Sequence, residues 1–154
     1  MTARTLAVLV LHGPNLNLLG AREPDVYGSR TLGEIDAELV AHGAAQGCAV
    51  ECFQSNHEGA LIDRLHAARG ACDGVVINPG GLTHTSVSLR DALLAVALPA
   101  VECHLTNIDA REGFRRRSRV ADVCVGRVAG FGALSYRLAL DALIDHLHRR
   151  TRAP

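Results

Sequence analysis

The chain has no lysine: all sixteen of its basic residues are arginine, set against sixteen acids for a formal net charge of zero. No imine can form on an ε-amine, which excludes pyridoxal-type and lysine-imine mechanisms. A Walker A phosphate loop is excluded for the same reason. Tryptophan is absent and aromatic residues make up 3%, too few for the stacking platforms that hold single-stranded nucleic acid. Zero net charge provides no field to gather nucleic acid or an acidic membrane. No apolar run approaches the length of a membrane-crossing helix, and Met1–Val10 has too short an apolar stretch for a signal segment. The reading is a soluble, cytoplasmic protein with neither nucleic acid nor membrane as a partner.

Several site motifs are missing as well. There is no HExxH, and His146 and His148 fall on different faces of a helix, so no metal is expected. No GxSxG elbow appears, and no GxGxxG follows the first apolar run, which leaves a dinucleotide unsupported. The five cysteines (Cys48, Cys52, Cys72, Cys103, Cys124) form no CxxC and read as reduced thiols, largely in the core.

With 154 residues and 48% apolar content, the chain is long enough to bury one real core. It reads as a single catalytic domain over residues 1–154, with 149–154 as a loose tail. Apolar runs of strand length stand at Leu6–Leu11, Ala49–Phe53, Gly74–Ile77, Ala100–Cys103 and Val120–Val125. Their valine content and weak alternation suit strands buried on both faces. Glu51, Glu102 and Asp122 are single acids inside such runs and mark an edge or a site. Helical patterns lie between: Thr31–Gln46, opened by the capping-box pair Thr31 and Glu34, then Glu58–Arg69, Ser86–Ala97 and Leu134–Leu147. This alternation predicts a doubly wound α/β fold with a five-stranded parallel sheet between two helical layers.

In such sheets the ligand sits at the carboxyl ends of the strands. Those ends are rich in polar residues: His12 to Asn17, Gln54 to His57, Asn78 to Ser86, and His104 to Asn107. The connection from Gly13 to Arg30 is long for a βα loop and reads as a lid. It carries Arg22 and Tyr27, one of only two tyrosines. A tyrosine must lose about 3 pKa units, worth about 4 kcal/mol, to be a phenolate near pH 7, and a guanidinium is a source of that shift. Downstream of the fourth run, Arg111 and Arg115 share a face at helical spacing, with Arg116, Arg117 and Arg119 toward water. A phenolate candidate, a histidine candidate and many amides suit proton abstraction beside a carbonyl followed by loss of a leaving group. A flavin-binding module, or a different lyase or isomerase acting on a related hydroxy-keto acid, remains an alternative. A receiver domain does not, since it needs a lysine.

Five blocks then carry a resemblance. They are Gly13-Pro-Asn-Leu-Asn-Leu-Leu-Gly20; Arg22-Glu-Pro24 with Tyr27-Gly28; Gln54-Ser-Asn-His-Glu-Gly59; Asn78-Pro-Gly80 with Thr83-His-Thr-Ser86; and Glu102, His104, Asn107, Arg111-Glu112 and Phe114-Arg115. In this order, over about residues 5–147, the chain resembles the type II 3-dehydroquinate dehydratases. The resemblance implies a flavodoxin-like fold and anti elimination of water from 3-dehydroquinate to 3-dehydroshikimate through an enolate, in the shikimate pathway or quinate catabolism. It implies no cofactor and no metal. Tyr27 would be the base, kept ionised by Arg22. Asn15 would hold the water that stabilises the enolate oxygen, and His104, oriented by Glu102, would protonate the leaving hydroxyl. Asn78 and the amides of Leu105 and Thr106 would bind the substrate carboxylate. His84, Arg115 and Asp91 would hold hydroxyls, and Arg111 would add positive charge near Tyr27. It further implies a homododecamer, a tetramer of trimers, with Asp91 contributed across an interface. The chain departs from the family pattern at His12 (usually Asn), Gly81-Leu82 (usually Ala-Tyr), Cys103 (usually β-branched), Thr106 (usually Ser) and Arg119 (often aromatic).

Overall fold

A computed structural model describes residues 4–21, 25 and 29–152. Five parallel strands form one sheet in the order β2-β1-β3-β4-β5. They are β1 (Leu6–His12), β2 (Cys48–Gln54), β3 (Gly74–Asn78), β4 (Ala100–His104) and β5 (Gly126–Ala129). Four helices cover the faces: α1 (Leu32–Ala45), α2 (Glu58–Ala68), α3 (Val87–Val96) and α4 (Leu134–Arg152). This is the flavodoxin-like order, whose switch point lies between β1 and β3.

Local chemistry sets the helix starts. Thr31 and Ser86 each accept a hydrogen bond from the backbone N–H three residues on, capping α1 and α3. The two sheet faces build two cores. One packs Val8, Val10, Ile35 and Leu39 against Tyr136, Leu140 and Leu143 of α4. The other packs Leu9, Leu11, Ile77, Leu61 and Leu65 against Leu89 and Leu93 of α3. β1, β3 and β4 are buried almost throughout, as the two-sided apolar runs require. Glu51 stands on the edge strand β2 and is exposed, whereas Glu102 on β4 is fully buried.

Four sequence expectations are corrected. The last strand is Gly126–Ala129 rather than Val120–Val125. Ser118 Oγ accepts hydrogen bonds from the N–H groups of Val120 and Ala121, so those donors are lost to a strand ladder. Ala121–Val123 instead turns into a 3-10 segment, with Val120 buried in the α3 core. The last helix runs past Leu147 to Arg152. The arginine segment is two 3-10 turns, Ile108–Ala110 and Gly113–Arg116, rather than one helix, and Arg119 is half-buried rather than turned to water.

Register aligns the rim. His12 stands opposite both Gln54 and Asn78, and Ile77 stands opposite Glu102. The chain then turns tightly against β3: a Cβ on Gly13 would lie 2.2 Å from the Pro79 carbonyl oxygen. Only glycine permits that approach of two backbones. Among the described residues no helix is long and apolar enough to cross a membrane.

Candidate active site

A cavity opens at the carboxyl ends of β1, β3 and β4. Its floor and walls come from Asn15 and Leu16 after β1, Asn78, Gly80 and His84 after β3, and His104, Leu105 and Thr106 after β4. Arg111 and Arg115 close one side. Eight of the residues singled out by sequence therefore meet in one place.

His104 ends β4 and is nearly buried, with its Nε2 2.5 Å from Glu102 Oε2. Glu102 is two residues back on the same strand, so both side chains lie on one face of the sheet. Its other oxygen accepts from Ser118 Oγ at 2.8 Å, and Arg127 Nε lies 3.7 Å from Oε2. Burial pushes this carboxyl up, but the His104 hydrogen bond and charge, Ser118 and Arg127 outweigh it and hold it below the usual glutamate range. A carboxylate so held fixes the His104 ring by its Nε2.

His84 carries the opposite bias. Burial lowers its pKa, Arg115 and His104 add to that, and the Arg117 carbonyl and Glu102 oppose it. Its Nδ1 sits 2.9 Å from that carbonyl. A carbonyl only accepts, so Nδ1 carries the proton and Nε2 keeps its lone pair. The cavity thus has one histidine backed by a buried carboxylate and one suited to accepting a hydroxyl hydrogen.

Asn15 adopts left-handed backbone (φ 70°), which asparagine tolerates better than most residues. Its N–H donates to Asn56 Oδ1 at 2.8 Å, and Gln54 Nε2 donates to the same oxygen at 3.1 Å. Asn56 therefore pins the Asn15 turn to the end of β2. Arg115 Nε donates to Glu112 Oε2 at 2.7 Å, and its guanidinium stacks 5.0 Å from the Phe114 ring. Arg111 Nη1 lies 3.4 Å from Thr106 Oγ1 and its Nε 4.0 Å from Glu112. Both cations are positioned from behind, and their charge is permanent.

Three of the expected residues are not among the described residues that line the cavity. Asp91 is exposed on α3 and does not line it. Arg22 and Tyr27 lie outside the described residues. Sequence reasoning missed Ser118, Arg127 and Tyr136. Tyr136, fully buried on α4, accepts from Asn78 Nδ2 at 3.0 Å and lies 2.7 Å from His12 Nδ1. The His12 Nε2 is in turn 2.7 Å from Asp36 Oδ1 on α1. Cys52 completes a group of metal-type donors within 4.8 Å of one another, although the histidine and the aspartate already bind each other. Cys103, next to His104, is sealed in the core, where burial and then Glu102 push its thiol far up. It is an inert packing residue rather than a nucleophile.

The comparisons agree with this geometry. The family model for dehydroquinase class II matches residues 6–144. The 3-dehydroquinate dehydratase of Ruegeria pomeroyi is 57% identical over 141 residues, which is 92% of this chain and 95% of that protein. The protein of that name from Parasynechococcus marenigrum is 60% identical over 142 residues, covering 92% and 97%. The crystal structure of the type II dehydroquinase from Butyrivibrio crossotus matches with a TM-score of 0.88 at 41% identity, over 90% of this chain and 97% of that one. The likeness spans the sheet, the rim turns and the cavity together, and the chain belongs to the class II dehydroquinases.

Proposed function

We propose that this protein is a cytoplasmic hydro-lyase that removes water from 3-dehydroquinate to give 3-dehydroshikimate, by anti elimination through an enolate and without an imine. The observation that carries the reading is the buried Glu102–His104 pair opening onto a cavity lined by Asn15, Asn78, His84, Arg111 and Arg115. The product feeds the shikimate pathway or lies on the route of quinate breakdown.

Each proton has a place in this scheme. Tyr27, as phenolate, takes the C–H proton beside the ketone, and Arg22 and Arg111 favour its charge. The electron pair moves onto the ketone oxygen, where a water held by Asn15 stabilises the enolate. As the enolate collapses, the C–O bond breaks and His104 gives the departing hydroxyl its proton. Glu102 takes Nε2 of His104, which leaves Nδ1 as the nitrogen that delivers the proton. The proton on Tyr27 then returns to His104 through solvent, and the cycle is reset.

Binding uses the remaining groups. Asn78 and the amides of Leu105 and Thr106 hold the carboxylate, while His84 and Arg115 hold ring hydroxyls. Asp91 acts on the site of a neighbouring subunit, which its exposed position on α3 allows. The assembly is a dodecamer of four trimers, a closed symmetry that gives every site its donated carboxylate. Neither a metal nor a cofactor takes part.

The test is direct. Purified protein mixed with 3-dehydroquinate should show the growing ultraviolet absorbance of the conjugated product, and a folded oligomer with no signal would refute the activity. Tyr27→Phe should abolish turnover with the fold intact, and near-normal activity would refute the base assignment.

A further inference from the structure

The side chains that hold Asn78 from behind form a continuous wire: Asp36, His12, Tyr136, Asn78. Its links are 2.7 Å (Asp36 Oδ1 to His12 Nε2), 2.7 Å (His12 Nδ1 to Tyr136 Oη) and 3.0 Å (Tyr136 Oη to Asn78 Nδ2). His12 and Tyr136 have no exposed surface and Asn78 almost none. The rings of His12 and Tyr136 meet edge-on with centroids 5.1 Å apart. The wire starts at Asp36, whose side chain is 30% exposed, and ends in the substrate cavity.

The direction of every hydrogen bond in it follows from donor and acceptor counts. A carboxylate only accepts, so His12 Nε2 carries the proton. The Tyr136 hydroxyl has a single hydrogen to place, and His12 Nδ1, 2.7 Å away, is the ring nitrogen left to accept it. The Tyr136 oxygen is left to accept, and takes one N–H of Asn78. The Asn78 oxygen is meanwhile engaged by the Gly80 N–H at 3.2 Å. One group of Asn78 remains unspent, the second N–H of its amide, and Asn78 lines the cavity.

We infer that Asp36, acting through His12 and Tyr136, is a specificity-determining positioning residue: it fixes the amide of Asn78 so that the cavity receives a donor and not an acceptor. The inference rests on the reading that Asn78 binds the substrate carboxylate. Turned over, Asn78 would present its carbonyl oxygen to that carboxylate, and attraction would become repulsion. Asp36 touches no substrate.

The experiment uses Asp36→Asn, which keeps the shape and adds a donor. The introduced amide can donate to Nε2. His12 then carries its proton on Nδ1, and the Tyr136 hydroxyl, having lost its acceptor, competes with the Gly80 N–H for the Asn78 oxygen. The expected result is a KM raised about tenfold, in line with loss of one hydrogen bond to a charged group, with kcat within about twofold. Nitrogen-15 spectra should show the His12 proton moving from Nε2 to Nδ1. In an Asn78→Ala background Asp36→Asn should have no further effect on KM, because the residue through which it acts is gone. Asp36→Glu should restore most of the affinity. Tyr136→Phe interrupts the same wire in the middle and should raise KM likewise, which serves if Asp36→Asn folds poorly. An unchanged KM in Asp36→Asn and Tyr136→Phe, with Asn78→Ala still raising it, would overturn the inference alone. An Asn78→Ala that leaves KM unchanged would overturn the carboxylate reading, and the inference with it.

Discussion

Two strands of this sheet end in a buried histidine, and the two are built in opposite senses. His12 closes β1 and His104 closes β4, each with Nε2 on a carboxylate, at 2.7 Å and 2.5 Å. At β4 the carboxylate is the deep partner: Glu102 is sealed, and His104 faces the cavity. At β1 the histidine is the deep partner, and Asp36 reaches the surface. A buried carboxylate behind the His104 imidazole fixes the ring by Nε2 and leaves its other nitrogen to the cavity. A surface carboxylate in front of a sealed imidazole selects a tautomer and passes the direction of a hydrogen bond inward. The same pair of residue types therefore stands beside the cavity in one place, where the proposed reaction uses it for proton transfer, and behind Asn78 in the other, where we infer orientation. What separates them is which member meets the ligand.

Turnover should separate the two most sharply. His104→Gln is expected to lower kcat by about 10²–10⁴, the usual worth of a positioned acid, while His12→Gln leaves kcat within a few-fold and alters KM. Steady-state kinetics on both variants checks this, and equal losses of kcat would erase the distinction. The next effect is on stability against pH. Because the folded carboxyl of Glu102 is held below its ordinary value, its contribution is complete above the unfolded pKa of about 4.3. That contribution fades as pH falls through the lower folded value. Glu102→Gln should be less stable than the parent near neutrality and lose less on acidification. Urea midpoints measured from about pH 6 down to 3 would show it, and parallel curves would contradict it. Ser118→Ala removes one of the bonds that hold Glu102 and should lower kcat by no more than about tenfold, with KM nearly unchanged. The smallest expected effect is none. With no lysine in the chain, substrate plus borohydride should leave the activity intact and the mass unaltered. A covalent adduct by mass spectrometry would refute elimination without an imine.

Much of this is legible along the chain. Runs buried on both faces announce β1, β3 and β4, because a parallel sheet covered by helices needs no polar face. Thr31 and Ser86 mark helix starts, because a cap acts within three residues. Glu102 stands out as a lone acid inside an apolar run, and the polar turns after the strands point to the cavity. The fifth strand is not legible in this way. Val120–Val125 has strand composition, and what denies it the ladder is a hydroxyl at Ser118 that also binds Glu102 sixteen residues away. Tyr136 looks like one core position on a helical stripe. Its hydroxyl meets Asn78 across 58 residues and His12 across 124, and no local pattern encodes such a meeting.

The sequence by itself determined the class of chemistry. Permanent cations, the absence of any lysine for an imine, and polar groups set at strand ends are properties of composition and of short-range order, and they hold however the chain is packed. Only the tertiary structure decided which strand-end histidine meets the cavity, which carboxylate stands behind it and which way the Asn78 amide faces. Those outcomes depend on burial and on the saturation of donors and acceptors between distant segments. Both quantities come into being only when α1, α4 and the loop before β5 close over the sheet.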